Sequence, residues 1–310
     1  MKERPQEEGG NYHYIALLVA VVVSWGIVPA FAKLGNLPGD VTTLWVNWIA
    51  LAAVALLITI QGKWQLLQKY SGKDYATMAA LGLAWPLVYS VAYFEAVQTG
   101  GPALTTILNY TWPVFCLAFA FSINKAKAAR ASVLSVLLAT AAVGVVCLLE
   151  QGSSLTLVAP AIFLGLTAAV TQGFYSAATD KWEYDPWVMT FVVEAVTVLG
   201  VTVLVVLRGS FVVPTTTTLC YLAAIGALSN GIGFWAFLAG SQESGKLGTT
   251  AKSTWLIGMC LVPFVQVLLL PILGAENIST WKWLGVALIA ASFYIHKKGA
   301  ERQHKEAPTI

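Results

Sequence analysis

Apolar residues run along this chain in blocks of about twenty, the length that crosses a bilayer's hydrocarbon layer as a helix. The blocks fall at 14–33, 41–60, 75–98, 103–123, 129–148, 158–180, 187–207, 218–241, 248–272 and 281–297. Short polar breaks part them, and several hold turn-forming residues. Leu37-Pro38-Gly39-Asp40 follows the first block, Gly100-Gly101-Pro102 the third and Gly152-Ser153-Ser154 the fifth, while Asp185-Pro186 precedes the seventh. The pattern predicts an all-α membrane protein with ten transmembrane helices.

Composition agrees with that pattern. Of 310 residues, 57% are hydrophobic and only 11% charged, whereas soluble domains carry about a quarter charged residues. Too few charges exist to clothe a water-facing surface, so lipid is the expected solvent and the bilayer an expected partner. The net charge is +3, and no basic stripe points to nucleic acid. Cys116, Cys147, Cys220 and Cys260 stand singly in or beside apolar runs, as small core residues do. The first thirteen residues are polar and mixed in charge. No small-residue cleavage site follows the first block, so it is expected to stay as a helix.

Lysine and arginine set the orientation, because cytoplasmic loops hold most of them. With the N-terminus inside, fifteen of the 18 basic residues lie on the cytoplasmic side. They are Lys2, Arg4, Lys63, Lys69, Lys73, Lys125, Lys127, Arg130, Lys181, Lys246, Lys252, Lys297, Lys298, Arg302 and Lys305. Lys33, Arg208 and Lys282 remain for the outside. The asymmetry places both termini in the cytoplasm and requires an even number of spans.

The two halves echo one another. Thr111-Trp112 recurs as Thr254-Trp255 at an offset of 143, which also carries Phe94 onto Phe237, Ala96 onto Ala239, Leu104 onto Leu247 and Thr106 onto Thr249. Ser24-Trp25-Gly26 with Ala30 resembles Thr171-Gln172-Gly173 with Ala177 at an offset of 147. Five spans per half is odd, so the second half is inverted. The division is a cytoplasmic segment 1–13, a first five-helix repeat 14–150, a second 151–297 and a cytoplasmic tail 298–310. Inverted repeats accompany transporters that alternate access around a midplane site.

With Trp25-Gly26 in the first span, Tyr93-Phe94-Glu95-Ala96, Gly100-Gly101-Pro102-Ala103 and Trp112-Pro113, the chain resembles the EamA-type permeases of the drug/metabolite transporter superfamily. Tyr89, Tyr93, Tyr110 and Trp112 are similar to the aromatic set of the YddG-type aromatic amino-acid exporters in that superfamily. The resemblance covers 14–297. It implies a bacterial inner-membrane exporter of aromatic and other bulky neutral amino acids, with a cavity lined by spans 1, 3, 4, 6, 8 and 9. One departure is Trp45-Val46-Asn47-Trp48, where many such repeats carry a basic residue.

Several residues are candidates for substrate contact. Tyr89 and Tyr93 are four apart and share a helix face; the alternatives are an interfacial belt or plain packing. Asn109, Tyr110 and Trp112 surround Pro113, whose missing N–H frees the carbonyl of Asn109; the alternative is a kink satisfied by a neighbouring helix. The repeat sets Lys252 and Trp255 at the positions of Asn109 and Trp112. A membrane lysine suits a carboxylate, unless it snorkels to the interface. Gln172, Asn230 and Gln266 either bridge helices or face the cavity. Glu95 and Glu194 either bind a proton or an amine or pair with a neighbouring helix. Gly165, Ala169, Gly173 and Ala177 form a small-residue stripe suited to close helix packing. Pro29, Pro113, Pro263 and Pro271 are candidate kinks.

Other chemistries lack their parts. Gly240 to Lys246 has phosphate-loop spacing, but Leu247 follows where a Ser or Thr is needed. Asn277-Ile278-Ser279 is a sequon of no expected use in a bacterial protein. His13, His296 and His304 sit near the termini, and no HExxH or GxSxG occurs. No metal, cofactor or catalytic role is therefore expected. Besides amino-acid export, the open readings are export of other amphipathic metabolites or drugs, a membrane-embedded enzyme and a scaffold.

Overall fold

The computed structural model describes residues 10–124, 134, 138, 141–142, 155–179, 182, 184–248, 251, 254–255, 258–259 and 261–306. Every regular element among them is helical. Helices α1 (Gly10–Gly26) and α2 (Val28–Gly35) form one bent rod, broken beside the predicted kink at Pro29. Helix α3 (Gly39–Ile60) follows. A 3-10 turn (Trp64–Lys69) leads to α4 (Gly72–Gly82), a π segment (Leu83–Val88) and α5 (Tyr89–Gly100), a rod kinked at Trp85. Helices α6 (Pro102–Asn109) and α7 (Trp112–Asn124) are parted at Tyr110–Thr111, two residues before Pro113. Next come α8 (Leu155–Thr179) and α9 (Pro186–Arg208). A second π-bearing rod comprises α10 (Thr216–Ala223), the segment Ala224–Gly233 and α11 (Phe234–Lys246). Helices α12 (Leu261–Ile272) and α13 (Thr280–Glu306) complete the described chain.

Among the described residues, six helical stretches are long and apolar enough to cross a membrane: His13–Gly35, Gly39–Ile60, Gly72–Gly100, Ala159–Thr179, Pro186–Arg208 and Thr216–Lys246. The break at Tyr110 shortens the helices of the expected fourth span. The expected fifth span, 129–148, lies almost wholly outside the described residues, and part of the ninth does too.

Solvation runs opposite to that of a water-soluble bundle. Ile15, Val19 and Val23 make an exposed stripe on α1, while Leu17, Leu18 and Val21 beside them are buried. Trp48, Leu56 and Ile60 do the same on α3, and Leu199, Val203, Val206 and Leu207 on α9. Apolar faces turned outward this way are stable only in lipid. Inside lipid, polar groups need internal partners. The hydroxyls of Thr43, Thr105, Thr190, Thr197 and Thr202 each donate to the carbonyl four residues back, at 2.6–2.8 Å. These threonines satisfy themselves within their own helices.

Helix pairing is orderly. Helix α3 packs on α9, and each also packs on a π-bearing rod. The first such rod lies on α8 and α9, the second on α1 and α3. Helices α6 and α7 pack on α8, as α12 packs on α1. The small-residue stripe on α8 works as the sequence suggests. A Cβ on Gly173 would stand 2.7 Å from Cys116 N and 2.8 Å from Trp112 O, so the backbones of α7 and α8 nearly touch.

Polar contacts tie the connections together at one end of the bundle. Glu95 accepts the amide of Gly39 at 2.7 Å and so caps α3. Asp40, buried on α3, accepts from Ser210 at 2.8 Å and meets Arg208 at 3.5 Å. Gly101 turns the chain at φ 86°, and Glu276 accepts the following amide of Ala103 at 3.0 Å while pairing with Lys282. At the opposite end, Asp185 accepts the amides of Trp187 and Val188 at the start of α9. The Tyr70 hydroxyl accepts the amide of Asp185 at 2.7 Å.

Gly173→Ala is expected to cost roughly 1–3 kcal/mol, since neither backbone atom it meets is free to move aside. Gly72→Ala, at a position with open space around it, is expected to be neutral or stabilising. Thermal unfolding of the purified variants in detergent checks both. Equal midpoints for the two would contradict the close approach of α7 and α8.

Candidate functional site

The two π segments face each other across the middle of the bundle. A π turn carries an extra residue and shifts the helix out of register, which leaves backbone groups unpaired. Trp85 is the point of departure in the first, with φ −149° and ψ 124° inside an otherwise helical stretch. In the second, Trp25 of α1 donates from Nε1 to the carbonyl of Ser229 at 3.4 Å, so a side chain answers one carbonyl of the altered turn.

Between them lies a cavity. Trp25 and Val28 line it from the first rod. Trp85, Pro86, Tyr89, Ser90, Tyr93 and Phe94 line it from the π segment and α5. Asn109, Tyr110 and Trp112 enter from the break between α6 and α7. Gln172 comes from α8 and Glu194 from α9, with Ser229, Asn230, Phe234 and Phe237 opposite, and Met259 and Gln266 closing one side.

Aromatic rings make most of this wall. Trp85 is the hub, with ring centroids 4.5 Å from Tyr175, 4.8 Å from Phe234 and 5.5 Å from Tyr89. Tyr89 and Tyr93 stack at 5.6 Å and 14°, as their four-residue spacing on one face predicts. Trp25 meets Phe237 at 5.2 Å. Rings that touch in offset or tilted geometry hold one another in place and leave faces for a flat apolar guest.

The polar groups fall into two kinds. Some bridge helices: Asn230 donates to Asn47 Oδ1 at 3.2 Å, and Asn47 donates to Thr43 O at 2.6 Å. In the uncharged Trp45–Trp48 stretch, an amide bridge thus joins α3 to the second π segment. Other groups are half-satisfied. Asn109 donates to the Tyr89 hydroxyl at 3.2 Å and Gln266 donates to Trp25 O at 3.0 Å, but Asn109 Oδ1 and Gln266 Oε1 have no partner among the described residues. Trp85 Nε1 and Glu194 Oε2 are buried and unpartnered as well. Buried polar groups are rarely left alone, so these mark where a ligand or water is expected.

Nine of the twelve candidates singled out in the sequence come together here: Tyr89, Tyr93, Asn109, Tyr110, Trp112, Gln172, Glu194, Asn230 and Gln266. Trp255 does not line the cavity. It is buried behind Phe237, at 6.3 Å between centroids, and lies against Gly240. Lys252 lies outside the described residues. Glu95 turns away from the cavity to cap α3. Sequence reasoning passed over Trp25 as a contact residue, and also Trp85, Phe234, Phe237 and Met259. Pro86 drives Trp85 out of helical geometry, and the second π segment shifts the phase of Phe234 and Phe237 after it, so a regular 3.6-residue period does not reach these three. Among the described residues no group of three or more His, Cys, Asp or Glu is arranged to hold a metal ion.

Comparison with known proteins gives the frame for these features. No curated protein matches the chain as a relative. A solved structure described as "Crystal structure of protein" is similar at 19% identity and a TM-score of 0.67, over 94% of this chain and 98% of that chain, which is a likeness of fold. Residues 13–148 match the model of the EamA-like transporter family. That match supports the drug/metabolite transporter superfamily, and with the apolar helices it supports a multi-pass membrane protein that carries small molecules.

Proposed function

We propose that the protein is a secondary transporter that exports aromatic and other bulky neutral amino acids across the bacterial inner membrane by alternating access. Ten spans, arranged as inverted repeats 14–150 and 151–297 with both termini cytoplasmic, form the moving parts. The observation that carries the reading is the aromatic cavity between two π-interrupted helices. Interrupted helices at corresponding places in two halves are where transporters hold their cargo.

The repeat offset supports the same reading. Adding 143 takes the first π segment, 83–88, onto 226–231, within the second. It takes Phe94 onto Phe237 and Pro86 onto Ser229, and all four line the cavity. Exchanging spans 1, 2, 3 and 4 with 6, 7, 8 and 9 also turns one set of pairings into the other: α8 on α5 becomes α1 on α11, and α7 on α8 becomes α12 on α1. The α3–α9 pairing maps onto itself and lies where a pseudo-twofold axis would pass. Rocking of one half against the other about that contact would open the cavity to each side in turn.

In this mechanism a substrate ring slides between the Trp85–Phe234 pair and the Tyr89–Tyr93 stack. Asn109, Gln172 and Gln266 meet its polar end. The alternative of amphipathic metabolites or drugs gains from one feature: the described cavity residues include an acid, Glu194, and no base.

Uptake of labelled Phe, Trp and Lys into proteoliposomes tests the reading. Phe and Trp are expected to be carried and Lys not, with Trp112→Ala lowering the rate roughly tenfold. Tyr93→Ala should act likewise, its folding checked by thermal unfolding because Tyr93 also packs in the core. Folded protein that carries no amino acid would refute the amino-acid assignment. Topology is checked separately in a cysteine-free background. Val213→Cys is expected to react with an impermeant maleimide from outside the cell, and Gln68→Cys only after permeabilisation.

A further inference from the structure

Glu194 is the one carboxylic acid among the described residues of the cavity wall, and it is only 1% exposed. Its place is fixed from both sides along α9. Val193 Cα lies 3.1 Å from where a Cβ on Gly82 would stand, and Thr197 donates to the Gly82 carbonyl at 3.5 Å. The stretch of α9 that carries Glu194 is therefore held against the rod just before the first π segment. Yet Oε2 has no hydrogen-bond partner there, and no lysine, arginine or histidine is among the described lining residues. A carboxylate held in an apolar interior without a counter-charge is costly. Other acceptors accompany it. Gln266 commits its amide N–H to Trp25 O, so Oε1 is an acceptor left over, and Asn109 Oδ1 is another.

The unpaired groups of the wall are three acceptors, Glu194 Oε2, Gln266 Oε1 and Asn109 Oδ1, beside the Trp85 Nε1 donor and the Tyr93 hydroxyl, and the one acid among them lacks a counter-charge. The complement of those acceptors is a group with several N–H donors and a positive charge, flanked by a ring. We infer that Glu194 anchors a protonated amine, and that the ligand class is an aromatic compound with an ammonium group and no required carboxylate. This rests on the aromatic-cavity reading above and narrows it. The amine is the recognised end, held by Glu194 with Gln266 and Asn109, while Trp85 and Phe234 hold the ring and add cation–π attraction.

The test is ligand binding to the purified full chain in nanodiscs, followed by tryptophan fluorescence. Four probes share a phenyl ring: phenylalanine, phenethylamine, 3-phenylpropionate and 2-phenylethanol. Phenethylamine is expected to bind at least as tightly as phenylalanine and at least about tenfold more tightly than 3-phenylpropionate. Glu194→Gln is expected to weaken phenethylamine by about tenfold or more while leaving 2-phenylethanol within about twofold of the parent. The series on the parent protein needs no variant, so a poorly folded substitution does not blunt it. Equal binding of amine and acid by the parent overturns the inference, as does unchanged amine binding by folded Glu194→Gln. In both cases, binding of 2-phenylethanol leaves the aromatic cavity standing. If none of the four binds the folded parent, the aromatic-cavity reading falls and this inference falls with it.

Discussion

Inside a bilayer no water is at hand to pair with a stray N–H or C=O, and this one constraint organises the molecule. Every helix must close its own hydrogen bonds or borrow a partner. Threonines answer by bonding to their own helix, and Glu95, Asp185 and Glu276 answer by taking exposed amides at helix starts. The departures from regular helix collect in the interior, where protein and cavity surround them. The π segments at 83–88 and 224–233 and the break at 110–111 all border one cavity. Irregular backbone and cavity therefore belong to a single design, since neither is tolerable facing lipid.

Packing keeps that interior narrow. Gly173 lets α8 lie against the backbone of α7, and Gly82 lets α9 lie against the first π-bearing rod. Such contacts leave rings, and not backbone, to fill the centre. Trp85 touches three other aromatics, and Trp25 bridges α1 to the second π segment. The same side chains that seal the centre are those a flat guest would meet.

Much of this was legible in the sequence because lipid imposes long apolar runs. The positions of α1 to α5 and of α8 to α11 follow the apolar blocks closely. Tyr89 and Tyr93 were readable from their spacing on one turn, and the break near Pro113 from proline's missing donor. Gly173 was readable as packing from its small-residue stripe. Trp85 was signalled only by Pro86, which drives the residue before it out of α geometry, and Phe234 was not signalled, because the π turn ahead of it changes helical phase. Trp255 looked equivalent to Trp112 by the repeat, but it is buried behind Phe237. Asn230 was readable as a residue that bridges helices or faces the cavity, and Asn47 only as part of an uncharged stretch. Their meaning lay in their pairing across 183 positions, which only the tertiary structure supplies.

The self-bonded threonines carry a consequence for how such a protein changes over time. Most of their polarity is spent within single helices, with Thr197 also reaching the Gly82 carbonyl of the neighbouring rod. On the function proposed above, selectivity rests on very few atoms, chiefly those of Glu194, Asn109 and Gln266. A lineage can exchange these few without disturbing the lipid-facing stripes or the glycine contacts. One scaffold can thereby drift from one cargo to another by small steps, keeping its fold while its chemistry turns over.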